Sequence, residues 1–301
     1  MYTYCFSEEE QSYLKQYDGA KYEKPSVAAD MAIFSIMEEE ESNNFRKLPK
    51  KALKILLVKR AGYPFKDMWA LPGGFCNSSE DVYETAQRKL FQETNVKNAY
   101  LSLAGVFGQA GRDPRGWIIS NTFLALVDGK ACHVHPGNDV READWFSVEV
   151  TAALVKKEIT EGAVDIWTDY EISLLEEKED ITLVAKVREY KHFQNCHETV
   201  KYEILENSGL GFDHAKIILS TLLELRKNIR NDIRIGFDLM PELFTLTQLQ
   251  NAFELVLDEK LLTANFRRKI NDYVVETEQI IEGAGHRPAK LFKRNVEEFY
   301  R

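Results

Sequence analysis

A chain of 301 residues, 44% hydrophobic and 11% aromatic, has ample material for a core and is expected to form two domains. Its formal net charge of −9 argues against a protein that coats nucleic acid indiscriminately, although a whole-chain charge can hide a local basic patch. No apolar run approaches the roughly 20 residues that cross a bilayer, and Met1–Glu10 lacks a basic region followed by a hydrophobic stretch, so a cytoplasmic chain without membrane contact is expected.

Residues 1–25 read as an N-terminal extension. The acidic run Glu38 to Glu41, followed by Ser42, Asn43 and Asn44, predicts a solvated loop between two strands. Lys54 to Lys59 is a β-rich run long enough for a buried strand, and Arg60 to Trp69 is a loop containing Gly and Pro. Pro72, Gly73 and Gly74 predict a turn that lets the backbone approach a phosphate, and Asn77, Ser78 or Ser79 can cap a helix starting near Glu80.

That helix carries the candidate chemistry. Taken alone, residues 80–93 are an amphipathic helix with Val82, Ala86 and Leu90 turned to a core and a Glu84 to Arg88 pair on the surface. Positions 89, 92 and 93 are related by i, i+3 and i+4, so their side chains share a face and can converge on one site. Gly74, Glu80, Arg88, Glu93 and Val96 stand at spacings that resemble the Nudix box. In that family positions 89, 92 and 93 are all Glu, a set that suits Mg²⁺ and the activation of a water nucleophile. Here Lys89 and Gln92 replace two of the acids, so the formal charge of the face moves from minus three to zero, and Asn95 stands where the box has Gly. An ammonium beside the metal position repels a divalent cation. The box is therefore degenerate, with Glu93 and Glu80 the catalytic or metal-holding residues if any activity survives.

Further along, Gly111-Arg112-Asp113-Pro114-Arg115-Gly116 is a compact basic loop before a strand through Trp117, Ile118 and Ile119. The loop resembles a segment of Nudix proteins that bind ADP-ribose. Arg112 and Arg115 can grip a pyrophosphate or carboxylate bidentately, and Trp69, Phe75 or Trp117 can offer a ring to a base or sugar. The expected ligand-binding set is Arg60, Gly73, Gly74, Arg112 and Arg115. The four cysteines Cys5, Cys76, Cys132 and Cys196 have no Cys-x-x-Cys spacing and are expected to be reduced, with Cys76 open to exposure in the box loop.

Ala143-Asp144-Trp145-Phe146 looks like the strand that closes many Nudix domains. Residues 151–205 read as added material: a helical piece around Ala152 to Glu158, then strands at Ile181 to Val187 and Val200 to Leu205, extending the sheet or offering a contact surface. After the boundary Ser208-Gly209-Leu210-Gly211, a helix from about Phe212 to Ile229 has Ile217, Ile218, Leu222 and Leu225 on its apolar side. Phe212-Asp213-His214-Ala215 at its start recurs in Nudix-related regulators, and His214 is expected to cap or pack rather than bind metal.

Thr245 or Thr247 can cap a helix with core positions Leu249, Phe253 and Val256, and a second helix starts near Thr263 after a short turn. Strands at Val274 to Ile281 and Pro288 to Phe292 flank a Gly-rich turn. Helix, turn, helix, strand, turn, strand is the order of a winged helix. Phe266 and Ile270 anchor the second helix inward, which leaves Arg267, Arg268 and Lys269 to face DNA, with His286, Arg287, Lys290, Lys293 and Arg294 on and after the wing. Acidic Asp272, Glu276, Glu278 and Glu282 dilute this patch, so a dimerisation module is the alternative.

Together the two ends resemble the NrtR family of Nudix-related transcriptional regulators. The resemblance implies a Nudix-fold α/β/α sandwich with a mixed sheet at 26–207, a linking helix at 208–232 and a C-terminal winged helix-turn-helix domain at 233–301. It also implies a homodimer that binds double-stranded operator DNA, with no cofactor needed for that, and responds to a nucleotide-sugar or phosphorylated metabolite, either ADP-ribose or a sugar-derived effector. The rival is a Nudix hydrolase cleaving ADP-ribose or a related nucleoside diphosphate, with Glu80, Glu84, Glu93 and a distant acid holding Mg²⁺.

Overall fold

The computed structural model describes residues 6–39, 50–97, 99–129, 132, 140–281, 288–299 and 301. The expected acidic loop after Glu39 lies outside them, as does the wing tip 282–287 with Arg287 and His286. Among the described residues no helix is long and apolar enough to cross a membrane.

A short helix α1 (Glu8–Gln16) precedes β1 (Ser26–Glu38), β2 (Lys51–Arg60), β3 (Trp69–Ala70), β4 (Gly73–Phe75), α2 (Val82–Thr94), β5 (Tyr100–Phe107) and β6 (Ile118–Leu126). Four long strands follow: β7 (Val140–Thr160), β8 (Ala163–Glu176), β9 (Ile181–Gln194) and β10 (His197–Ser208). The chain then runs into α3 (His214–Asn231), a 3₁₀ turn at Ile233–Leu239, α4 (Leu246–Leu257), α5 (Thr263–Ile270), β11 (Val274–Ile281), β12 (Ala289–Arg294) and α6 (Val296–Phe299).

The first ten strands form one mixed sheet ordered β10-β9-β8-β7-β2-β1-β6-β5, with β3 beside β2 and β4 beside β1. Only β1 and β6 run parallel; the other pairs are antiparallel. The two-residue side-chain period divides the core in two. Ala29, Met31, Ile33, Leu56, Phe123 and Ala125 meet Ala86 and Leu90 of α2 on one face. Ala32, Phe34, Ile55, Leu57, Leu124 and Leu126 meet Ile217, Ile218, Leu222 and Leu225 of α3 on the other. Both faces are covered, which is why β1, β2 and β6 read as near-continuous apolar runs. The result is the α/β/α sandwich with a mixed sheet that the sequence predicts.

The helical piece expected at Ala152 to Glu158 is strand. It is the distal half of β7, pairing residue by residue with β8 from Thr151↔Glu171 to Thr160↔Ala163 across one bulge. Ala, Lys and Glu favour helix locally, but a two-residue turn at Glu161 and Gly162 closes a hairpin whose ladder outweighs that preference. The strands expected at Ile181 to Val187 and Val200 to Leu205 form, and 151–205 extends the sheet.

The winged helix follows its predicted order. Thr245 caps α4 through a capping box with Gln248, and Phe266 and Ile270 of α5 are buried. Phe237, Phe244, Leu249, Phe253, Val256 and Phe266 belong to the same buried cluster as α3 and the sheet, so one continuous core joins the two parts of the chain. Helix α3 is the second helical layer of the sandwich as well as a link.

Candidate functional site

A cavity of about 580 Å³ opens between β1, β4, α2, the 111–116 loop and the start of α3. Its floor explains Gly73. Strand β4 pairs with β1, placing Gly73 opposite Asp30 and Gly74 opposite Ala29, so these residues form a short strand and not the predicted turn. A Cβ at Gly73 would fall 2.4 Å from Asp30 Oδ1 and 2.7 Å from the Ala29 carbonyl oxygen. Close approach, not a left-handed backbone, is what requires glycine here.

Helix α2 starts at Val82, two residues later than expected. Asp81, not Asn77, Ser78 or Ser79, is the N-cap; its carboxylate accepts from the Glu84 N–H while the Glu84 side chain accepts from the Asp81 N–H. At the other end Asn95 takes the left-handed conformation (φ 57°) that the box gives to glycine, a position asparagine tolerates. The loss of that Gly is therefore absorbed by the helix cap.

The predicted Glu84 to Arg88 surface pair does not form. Arg88 instead donates to Glu80 twice, Nε to Oε1 at 2.7 Å and Nη2 to Oε2 at 2.8 Å. This fork holds the Glu80 carboxyl down to about 2, against an ordinary value of 4.5. Lys89 and Glu93 line the cavity, but Gln92 does not; it is exposed, carried away from Glu93 by about 100° of helix rotation. Glu93 is 4% exposed and its Oε2 lacks a hydrogen-bond partner. Burial pushes its carboxyl up, opposed by the nearby Lys89 ammonium. Lys89 lies over the glycine floor: a Cβ at Gly74 would fall 2.4 Å from its Cε and 2.9 Å from its Nζ.

These donors do not fit Mg²⁺. A hard divalent cation takes several oxygen ligands. Glu80 is spent on Arg88, Glu84 on the helix cap, Gln92 points away, and Glu93 shares its surroundings with an ammonium. Among the described residues no three His, Cys, Asp or Glu side chains converge in a way that holds a metal.

The basic loop is more tightly built than its sequence suggests. Arg112 and Arg115 both line the cavity. Arg115 donates from Nε and Nη2 to buried Asp113, at 3.0 and 2.7 Å, and its guanidinium lies 5.2 Å from the Phe75 ring centre and 5.3 Å from that of Phe212. Arg112 donates from Nη2 and Nε to Asp213, at 2.7 and 3.0 Å. Burial acts to raise the Asp213 carboxyl, but its bonds to Arg112 and Lys216 outweigh that and hold it below the usual range. Arg60 bonds the Pro64 carbonyl through Nε and stands 4.9 Å over the Phe212 ring.

Of the three predicted rings only Phe75 lines the cavity. Trp69 is core, edge-on to Phe146 at 4.7 Å, and Trp117 lies outside the lining. Two rings that sequence reading missed as site residues, Tyr63 and Phe212, also line the cavity, and Phe212 is the one stacked with Arg60 and Arg115. Its signal was the tetrapeptide Phe212-Asp213-His214-Ala215, of which Phe212 and His214 line the cavity and Asp213 holds Arg112. His214 is buried; its Nδ1 accepts from the Leu71 N–H at 2.8 Å, and burial pushes its pKa down, so it packs as a neutral acceptor. Asp30 was also missed, although an acid inside the apolar run Val27–Ile36 marks it; it bonds Ser120 and lines the cavity.

On the winged helix, Arg267, Arg268 and Lys269 are exposed along α5. Two expected wing cations are committed elsewhere. Lys290 pairs with Glu276 across the hairpin, and Arg294 turns back to Asp238 and the Phe237 carbonyl. Cys76 and Cys132 are half-buried and Cys196 exposed, all free thiols.

Comparison with known proteins agrees with this anatomy. The NUDIX domain model matches residues 47–164 and the NrtR DNA-binding winged helix domain model matches 236–293. A MutT/nudix family protein from Enterococcus faecalis aligns with 97% of this chain and 100% of its own, with a TM-score of 0.60 at 22% identity. Shewanella oneidensis NrtR covers 90% of this chain and 94% of its own, with a TM-score of 0.58 at 23% identity. At those identities the likeness is one of fold. In sequence, the ADPR responsive transcriptional repressor NtrR of Acinetobacter baylyi is 30% identical over 293 residues, 96% of this chain and 90% of that protein. An alignment that spans nearly the whole of both chains at 30% identity, together with the two domain models, means that this chain belongs to the NrtR family of Nudix-related transcriptional regulators.

Proposed function

We propose that this protein is a DNA-binding transcriptional regulator whose Nudix-fold part senses ADP-ribose without hydrolysing it. Residues 26–207 sense, 208–232 link and 233–301 bind operator DNA. The observation that carries the reading is the double duty of Phe212, Asp213 and His214. Phe212 and His214 line the cavity, Asp213 holds the lining residue Arg112, and together they begin the helix whose far end shares a core with the winged helix.

Arg60, Gly73, Gly74, Arg112 and Arg115 surround the effector, with Phe75 and Phe212 as its apolar surfaces. A pyrophosphate that draws Arg112 away from Asp213 alters the anchorage of α3, and through it the spacing of two recognition helices in a homodimer. Such a ligand releases DNA only if it binds the DNA-free geometry more tightly. Arg267, Arg268 and Lys269 supply the contacts to DNA, with Arg287, outside the described residues, as a further cation of the wing segment.

A second copy of this chain fits the open edge of β7. Beyond Ser147 that strand pairs with β8 on one side, and among the described residues no strand covers the other. Antiparallel self-pairing about Lys157 sets Val155 opposite Ile159 of the second copy and Lys156 opposite its Glu158, apolar against apolar and cation against anion.

The test is a calorimetric titration with ADP-ribose, followed by chromatography of the same sample for AMP and ribose phosphate. Duplexes selected from a random pool by the protein are then challenged with ADP-ribose. Binding of intact ligand and release of the selected DNA are expected. Turnover at an ordinary enzymatic rate, or failure to retain any duplex, overturns the reading.

A further inference from the structure

The replaced face of α2 leaves the cavity with a cation that has no counterpart in an acidic Nudix box. Three of the guanidinium groups that line the cavity are held by carboxylates: Arg88 by Glu80, Arg112 by Asp213 and Arg115 by Asp113. No such ion pair or hydrogen bond ties the Lys89 ammonium among the described residues, although the buried Glu93 carboxyl acts on it electrostatically. The Lys89 side chain lies across the Gly74 backbone, against the floor of the cavity.

A metal site at this place needs carboxylates that the chain no longer brings together. A phosphate site needs a positive charge that is free to move onto the ligand, and Lys89 supplies one on a flexible stem. With Lys89 positive beside Glu93, the part of the face that lines the cavity carries no formal net charge against an incoming pyrophosphate, where carboxylates at both positions would repel it unless a divalent cation came first.

We propose that Lys89 replaces the divalent cation as the pyrophosphate-binding charge, so that the protein binds diphosphate ligands directly and independently of Mg²⁺. This rests on the reading that the cavity takes a nucleoside diphosphate sugar, and the experiment separates the two. Wild type, Lys89→Met, Lys89→Arg and the double variant Lys89→Glu/Gln92→Glu are titrated calorimetrically with ADP-ribose and, separately, with inorganic pyrophosphate. Each titration is run once in EDTA and once with Mg²⁺.

The wild type is expected to bind both probes equally well in either condition. Lys89→Met weakens both by about 10–100-fold, the scale of one charge-assisted hydrogen bond, and Lys89→Arg retains most of the affinity. The double variant binds appreciably only with Mg²⁺. Wild-type binding that requires Mg²⁺, Lys89→Met binding as tightly as wild type in EDTA, or no binding of either probe in EDTA overturns the proposal. If pyrophosphate binds in EDTA through Lys89 and ADP-ribose binds in neither condition, the cation replacement stands and the ADP-ribose reading falls.

Discussion

Arg112, in the loop between β5 and β6, and Asp213, at the start of α3, are joined by two hydrogen bonds although 101 positions separate them in the chain. Their side chains are 5% and 9% exposed, so the pair is desolvated on both sides. Breaking such a pair from one side leaves an uncompensated buried charge, a loss of about 3–5 kcal/mol. Asp213→Asn is therefore expected to lower stability by that order in urea unfolding and to blunt the release of DNA by ADP-ribose. Unchanged stability together with unchanged release would show that the pair neither anchors α3 nor couples it to the cavity.

The pH response of folding should carry the signature of His214. Buried and accepting the Leu71 N–H, it stays neutral in the fold, whereas the unfolded chain takes up a proton below the ordinary value of 6.5. A lowered pKa for a base means that the unfolded state binds more protons, so stability is full above pH 6.5 and declines as pH falls below it. The contribution of this group approaches about 1.4 kcal/mol per pH unit. Denaturation midpoints of wild type and His214→Gln, compared from pH 7.5 down to about 5, should differ in slope. Parallel profiles would mean that His214 does not govern this range. Asp213, whose pKa is lowered, acts in a separate window: its contribution is present above 3.8 and is lost as pH falls below it.

Charge on α5 should be visible in salt dependence. Arg267→Ala with Arg268→Ala removes two exposed cations, so the slope of log affinity against log salt should fall by about 2 and specific retention should be lost. Lys290→Ala should change little, because Glu276 already neutralises that side chain. A Lys290→Ala effect equal to the α5 double variant would move the DNA interface onto the wing.

The β7 edge makes an independent prediction. Val155 and Ile159 are 63% and 71% exposed on a strand whose distal half, among the described residues, has no partner strand on one side. Placing Val155→Lys and Ile159→Lys together there sets cations opposite each other in the self-paired arrangement, and sedimentation equilibrium should show the dimer becoming monomer. A variant that remains dimeric would require a different interface.

Much of the fold is legible along the chain. The apolar run of β2, the periodic face of α3, the cap of α4 by Thr245, one of the two threonines the sequence offers, and the inward pair Phe266 and Ile270 each answer to local rules of propensity and period, and each forms as expected. The loss of acids at positions 89 and 92 was likewise plain from residue identity alone. What failed locally was Ala152 to Glu158, whose helix-forming composition yields to a hairpin ladder closed by its neighbours.

The sequence by itself determined the two-part architecture, the family and the chemical defect in the box, because motif spacing and periodicity are properties of neighbouring residues. Only the tertiary structure decided which charges are available. Asp213 reaches back over 101 positions to hold Arg112, Arg88 abandons Glu84 for Glu80, and Lys89 is left against the Gly74 backbone. Partner choice among charges depends on distance and burial after folding, and neither can be read from order along the chain.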